Sequence, residues 1–129
     1  NPSKYLGDPS NGEKVFSVDH STLKPIILYK STIASINTDQ EIIGFNAING
    51  TEIWRSQKFK NRHITDLILY DDKLYFGDFE GFIHEINPEN GMITGLVKTE
   101  LKSIKQIAIY SDKLIVQDTD GSISGFDLN

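Results

Sequence analysis

Short apolar runs rich in Ile, Leu, Tyr, Phe and Val recur along the chain between clusters of Gly, Asp, Asn and Ser, and no window holds a helical apolar period. The runs also repeat in register. Tyr70 to Ile86 and Tyr110 to Phe126 are close copies and Tyr29 to Phe45 is a more diverged third, so the Tyr anchors lie 41 and 40 residues apart. In each copy an aliphatic residue stands four positions after the Tyr (Ile33, Leu74, Leu114), another stands thirteen after it (Ile42, Ile83, Ile123) and a large apolar residue stands sixteen after it (Phe45, Ile86, Phe126). Locked anchors with free substitution between them are what a packing constraint repeated in space produces.

A β unit of about forty residues belongs to propellers and solenoids, whose closed members need about four to eight units. The expected fold is therefore all-β: a partial β-propeller of about three blades of four-stranded antiparallel sheet, the last blade incomplete. Strands are expected near Pro25 to Tyr29, Thr32 to Ile36, Glu41 to Asn46 and Glu52 to Lys58 in the first unit. In the second they fall near Asp66 to Tyr70, Lys73 to Gly77, Gly81 to Asn87 and Met92 to Lys98. The third supplies Gln106 to Tyr110, Lys113 to Gln117 and Ser122 to Asp127, one strand fewer. Residues 1–18 read as a leading loop followed by the last strand of a preceding blade, Val15 to Val18, and the blades read as 19–60, 61–101 and 102–129. Three blades cannot close a ring, so both ends are expected to be open and available for self-association. Leu74, Ile83 and Ile86, with Leu114, Ile123 and Phe126, are expected to lie buried between blades.

The turns support the same plan. Asp71-Asp72 and Ser111-Asp112 join adjacent strands, while Asn49-Gly50 and Asn90-Gly91 supply a positive-φ pair before each fourth strand. Asp78 to Gly81 and Asp118 to Gly121 form a third turn whose Gly takes a left-handed backbone. The first unit has Gln40 in that place, which predicts a different loop conformation there.

The chain has 129 residues, begins Asn1-Pro2-Ser3 and reads as a processed or excised segment of a longer ring. Net charge is −5 and the 13 basic residues are scattered, which argues against nucleic acid and anionic membrane as partners. No apolar run is long enough to span a bilayer as a helix. The lack of Cys excludes disulfides and thiolate chemistry and says nothing of compartment.

The stretch Gly44-Phe-Asn-Ala-Ile-Asn-Gly-Thr-Glu-Ile-Trp54 resembles the pyrroloquinoline-quinone-type propeller repeat, with its apolar strand, Asn-Gly turn and Trp. Leu74 to Gly91 followed by Lys113 to Phe126 is similar to the carboxy-terminal blades of the BamB family, lipoproteins of the Gram-negative outer-membrane β-barrel assembly (BAM) machinery. The resemblance runs from about Leu23 to the end of the chain, and it departs at Gly95, where the second unit lacks the Trp of the first. It implies a non-catalytic, protein-binding scaffold at the periplasmic face of the outer membrane. It also implies an eight-bladed parent, anchored by an amino-terminal lipid on a Cys that this chain lacks. The partner implied is BamA, through its POTRA domains and through blades outside this chain, so no protein-binding residue is carried over.

Two rival readings remain open: a fragment of a quinone-dependent dehydrogenase, and a purely structural ring segment. The dehydrogenase sites implied by the shared repeat need a calcium ion in an oxygen cage and a carboxylate base at the ring centre. The clustered carboxylates here are Asp71 with Asp72, Asp78 with Glu80 and Asp118 with Asp120, and all three pairs read as turn residues. His20, His63 and His84 are singletons without metal-ligand spacing, and His84 alternates with Phe82 and Ile86 as a packed residue would. Asp19-His20-Ser21 cannot converge as a triad because its members are adjacent. Trp54 reads as an interblade core residue and Asn49-Gly50-Thr51 as a turn rather than a glycosylation acceptor. No catalytic, cofactor-binding or metal-binding residue is assigned, and no cofactor is expected.

Overall fold

The computed structural model describes residues 12–22 and 24–128. Eleven strands form three antiparallel sheets, and the described residues contain no helix. Blade 1 holds β1 (Ile27–Tyr29), β2 (Thr32–Ile36), β3 (Ile42–Asn46) and β4 (Glu52–Ser56). Blade 2 holds β5 (Ile68–Tyr70), β6 (Lys73–Gly77), β7 (Phe82–Ile86) and β8 (Ile93–Lys98). Blade 3 holds β9 (Ile104–Tyr110), β10 (Lys113–Asp118) and β11 (Ile123–Asp127). Strands within a blade are neighbours in sequence order, and β5 approaches both β1 and β9, so the first strands form the inner side and β4 and β8 the outer edges.

Because side chains alternate across a strand, each blade divides its residues between two joints. Leu74, Phe76 and Ile86 of blade 2 pack with Ala34, Ile36, Ile42 and Trp54 of blade 1. Tyr75 and Ile83, on the opposite face, pack with Ile104, Ile107, Leu114 and Val116 of blade 3. Expected core positions with a blade beside them are closed: Leu74, Ile86 and Leu114 are fully buried and Ile83 nearly so. Phe126 is partly buried against the same core. Ile123 corrects the expectation, being 72% exposed although its equivalent Ile42 is 0% exposed. Its face of blade 3 points away from blade 2, so no described residue covers it.

Val15 to Val18 is also corrected. These residues form no strand, since no strand among the described residues lies beside them to complete a ladder. Phe16 nevertheless packs on blade 1 as Trp54 packs on blade 2. Phe16 lies where a Cβ on Gly50 would collide with its ring, as a Cβ on Gly91 would collide with the Trp54 indole. Both glycines have positive φ, 77° and 75°. Of each expected positive-φ pair only the Gly is left-handed; Asn49 and Asn90 instead accept the backbone N–H of Thr51 and Met92. Trp54 is buried as expected, and its Nε1–H donates to the Pro88 carbonyl at 2.9 Å across the joint.

Replacing Ile83 by Ala is expected to cost about 2 to 5 kcal/mol, the range for a buried Ile. Ile123→Ala, at the equivalent position of an uncovered face, should change stability by less than about 0.5 kcal/mol. Urea melts of the two variants check the pair, and equal losses would contradict this assignment of faces.

Candidate functional site

The loops that leave the second strand of each blade share one construction. Asp78 Oδ1 accepts the backbone N–H groups of Glu80 and Phe82, and Asp118 Oδ1 accepts those of Asp120 and Ser122. Asn37 Oδ1 does the same for Asp39 and Glu41, so the first unit keeps the turn. Gln40 adopts φ 64° where Gly81 and Gly121 adopt 86° and 92°, and its N–H donates to the Asn37 carbonyl as Gly81 donates to Asp78. The expected different conformation is thus corrected: the side-chain acceptor fixes the turn, and its two hydrogen bonds offset a left-handed non-Gly residue whose cost is roughly 1 to 2 kcal/mol.

In the second of these turns Arg62, Asp78, Glu80 and His84 are bonded to one another. Asp78 is 0% exposed, and its Oδ2 accepts from Arg62 Nε at 2.8 Å and lies 2.7 Å from His84 Nε2. Burial pushes the Asp78 carboxyl up, but the His84 and Arg62 bonds with the two amides outweigh it and leave it below the usual carboxylate range. Arg62 Nη2 donates to Glu80 Oε1 at 2.7 Å. His84 is buried between the Phe59 and Phe76 rings, so it is a packed residue that also orients a carboxylate. His20 sits edge-on to Phe45 and 2.6 Å from Ser35 Oγ; burial first, then Arg55, lowers its pKa. His63 packs on Phe79.

The structure therefore joins Asp78, Glu80, Arg62 and His84, and leaves Asp71 and Asp72 in a hairpin turn with φ 49° and 63°. Among the described residues no group of three His, Cys, Asp or Glu side chains could hold a metal ion. Surface available to a partner lies elsewhere. Strand β8 is the outer edge of blade 2 and exposes Ile93, Leu96 and Val97, with Met92 exposed just before it. The signal for this surface was present as Met92-Ile-Thr-Gly-Leu-Val97, where apolar residues occupy both faces of one strand instead of alternating.

Blade 1 carries a second charged cluster. Glu41 is held at about 2 by hydrogen bonds from Asn37 and Gln57, which together with Arg55 and Lys60 overcome its burial. Both Glu41 and Asp78 are depressed carboxylates, so their contributions are complete above the unfolded value near 4 and disappear as pH falls through the folded one. The urea midpoint should fall between about pH 5 and about pH 2, and Glu41→Gln should flatten that fall. An unchanged slope in the variant would remove Glu41 from the account.

No protein-family model matches the chain. Outer membrane protein assembly factor BamB of Shewanella oneidensis is 25% identical over 114 residues, which are 88% of this chain and 29% of that protein. BamB proteins of Marinobacter adhaerens and Escherichia coli match at comparable levels, and the chain spans about a third of their length. In the crystal structure of BamB from Moraxella catarrhalis, 32% of the chain superposes on 84% of this one with a TM-score of 0.74 and 21% identity. A quinohemoprotein alcohol dehydrogenase from Pseudomonas putida covers 87% of this chain, with 20% of its own, at a TM-score of 0.68 and 15% identity, a likeness of fold alone. The blades described above are thus propeller blades, and over most of its length the chain is similar to outer membrane protein assembly factor BamB.

Proposed function

We propose that this chain is part of a BamB-like, non-catalytic scaffold of the outer-membrane β-barrel assembly complex, working at the periplasmic face of the outer membrane in a parent anchored by an amino-terminal lipid. The observation that carries the reading is the similarity to BamB proteins over about nine-tenths of the chain. The geometry fits presentation. Rigid sheets fix side-chain-pinned turns along one rim, and the apolar outer edge of β8 offers unpaired backbone groups to an extended segment. The Arg55–Glu41, Arg62–Asp78 and Arg62–Glu80 pairs lie within a blade and its lead-in loop, and Lys24–Asp66 ties the lead-ins of blades 1 and 2, so the rim is held in one shape before any partner arrives.

The partner on this reading is the periplasmic POTRA region of BamA, reached through blades outside residues 1–129. A pull-down with those domains is expected to retain the parent protein and not this chain alone. A parent that fails to bind would overturn the scaffold reading. Tight binding by residues 1–129 would transfer the docking site to the turns and edge described here.

A further inference from the structure

The two joints of this molecule are filled in opposite ways. Between blades 1 and 2, the β3–β4 register places Gly44 opposite Trp54, and a Cβ on Gly44 would run into the indole. Between blades 2 and 3, the equivalent β7–β8 register places Glu85 opposite Gly95. The large residue has moved to the other strand and become a carboxylate, whose side chain lies against Gly95. At the first joint the indole closes the interface. At the second there is instead a groove of about 240 Å³, walled by Ile83, Leu96, Val97 and Phe126, with Glu85 and Asp127 as its charged lining. Cavities of roughly 150 Å³ already hold a benzene ring, so this space takes a full side chain.

Of the two carboxylates that line the groove, Glu85 is bonded to neutral groups and Asp127 stands beside a cation. Glu85 accepts the Tyr75 hydroxyl at 2.8 Å and the Thr94 hydroxyl at 2.7 Å, both neutral donors. Burial first, and then Glu85, raises the pKa of Tyr75, which keeps that hydroxyl a donor and adds no charge. Asp127 has Lys113 at 3.5 Å. Each carboxylate oxygen of Glu85 uses one hydroxyl and retains a further lone-pair direction. Apolar walls leading to a half-buried carboxylate complement a side chain with a hydrocarbon stem and a cationic fork.

We propose that the groove between blades 2 and 3 receives an arginine side chain presented by an extended segment of a protein partner. Its methylenes lie on Ile83, Val97 and Phe126, and its guanidinium meets Glu85. The free edge of β8 supplies the approach, because a segment paired along it turns every second side chain toward this face. The inference rests on the scaffold reading for the nature of the partner but names a site that no BamA domain is needed to test.

The experiment is a ¹H–¹³C and ¹H–¹⁵N NMR titration of the chain with the capped peptide Thr-Val-Arg-Val-Thr and with its citrulline analogue, which keeps shape and loses charge. Saturable shifts at Ile83, Leu96, Val97 and Phe126 are expected, with the citrulline peptide about tenfold weaker and the Arg peptide weakened by salt. Glu85→Gln should lower the affinity of the Arg peptide by a similar factor. Should that variant fold poorly, Val97→Lys places a competing cation at the exposed mouth and should abolish binding. Shifts confined to other surfaces, equal affinity for the two peptides, or indifference to Val97→Lys would each overturn the proposal. The scaffold reading stands or falls separately, on the pull-down.

Discussion

The molecule depends on one constraint: a sheet of short strands with apolar residues on both faces is stable only when another sheet lies against each face. Burial here is a property of the neighbour as much as of the residue. Ile42 and Ile123 hold the same place in the repeat and differ from complete burial to near-complete exposure, because blade 2 covers the first and nothing described covers the second. Stability in such an array is a sum of unit and nearest-neighbour terms. The first blade meets the constraint without a full partner. The segment 12–22 lays Phe16 on the Gly50 turn and His20 on Phe45 and Ser35, which leaves Ser35, Ile43 and Phe45 buried on the face that otherwise has no sheet beside it.

The rim turns add a local hydrogen-bonded device to that packing. A single side-chain oxygen at Asn37, Asp78 or Asp118 captures two backbone N–H groups and sets the next strand's direction. Asp78 bears a further load, since a fully buried carboxylate needs partners for its second oxygen, and Arg62 and His84 supply them. Asn37 is neutral and makes no such demand. Its amide instead helps to hold Glu41, and the cationic partner Arg55 appears there. The same backbone turn thus carries two charge arrangements, and the arrangement follows from which atom of the turn is ionised.

Architecture was legible in the sequence because the repeat reports packing directly. Tyr29, Tyr70 and Tyr110 gave the period, and Leu74, Ile83, Ile86 and Leu114 were assigned to joints where the structure buries them. Position within the array was not legible. Ile123 carries the apolar signature of a joint residue, and only the order of blades tells that its face is uncovered. Nor did Gln40 reveal its turn, since the determinant is Asn37, an ordinary turn residue three positions earlier that looks like its acidic counterparts only once the bonds are drawn. The β8 surface was legible only in part: apolar residues on both faces of Ile93–Lys98 fit a buried strand as well as an outer edge, and the topology decides between them.

Departures from a repeat say more about function than the repeat itself, because the shared positions are already explained by packing. Three departures stand out here, and two of them have local compensation. Gln40 for Gly is compensated by the Asn37 cap, and Phe16 for Trp keeps an aromatic ring on the turn glycine. The exchange of Gly44 and Trp54 for Glu85 and Gly95 has none of that kind. It removes an indole that closes one joint through a hydrogen bond to Pro88 and leaves an apolar groove with a carboxylate at the other. A substitution selected for stability alone would refill that space with hydrocarbon, since exchanging a buried aromatic for a partly solvated carboxylate gives up packing and gains only two neutral hydrogen bonds. The groove is therefore the place where this chain departs from its own template at a cost in packing, and the proposed arginine would restore contacts that the exchange removed.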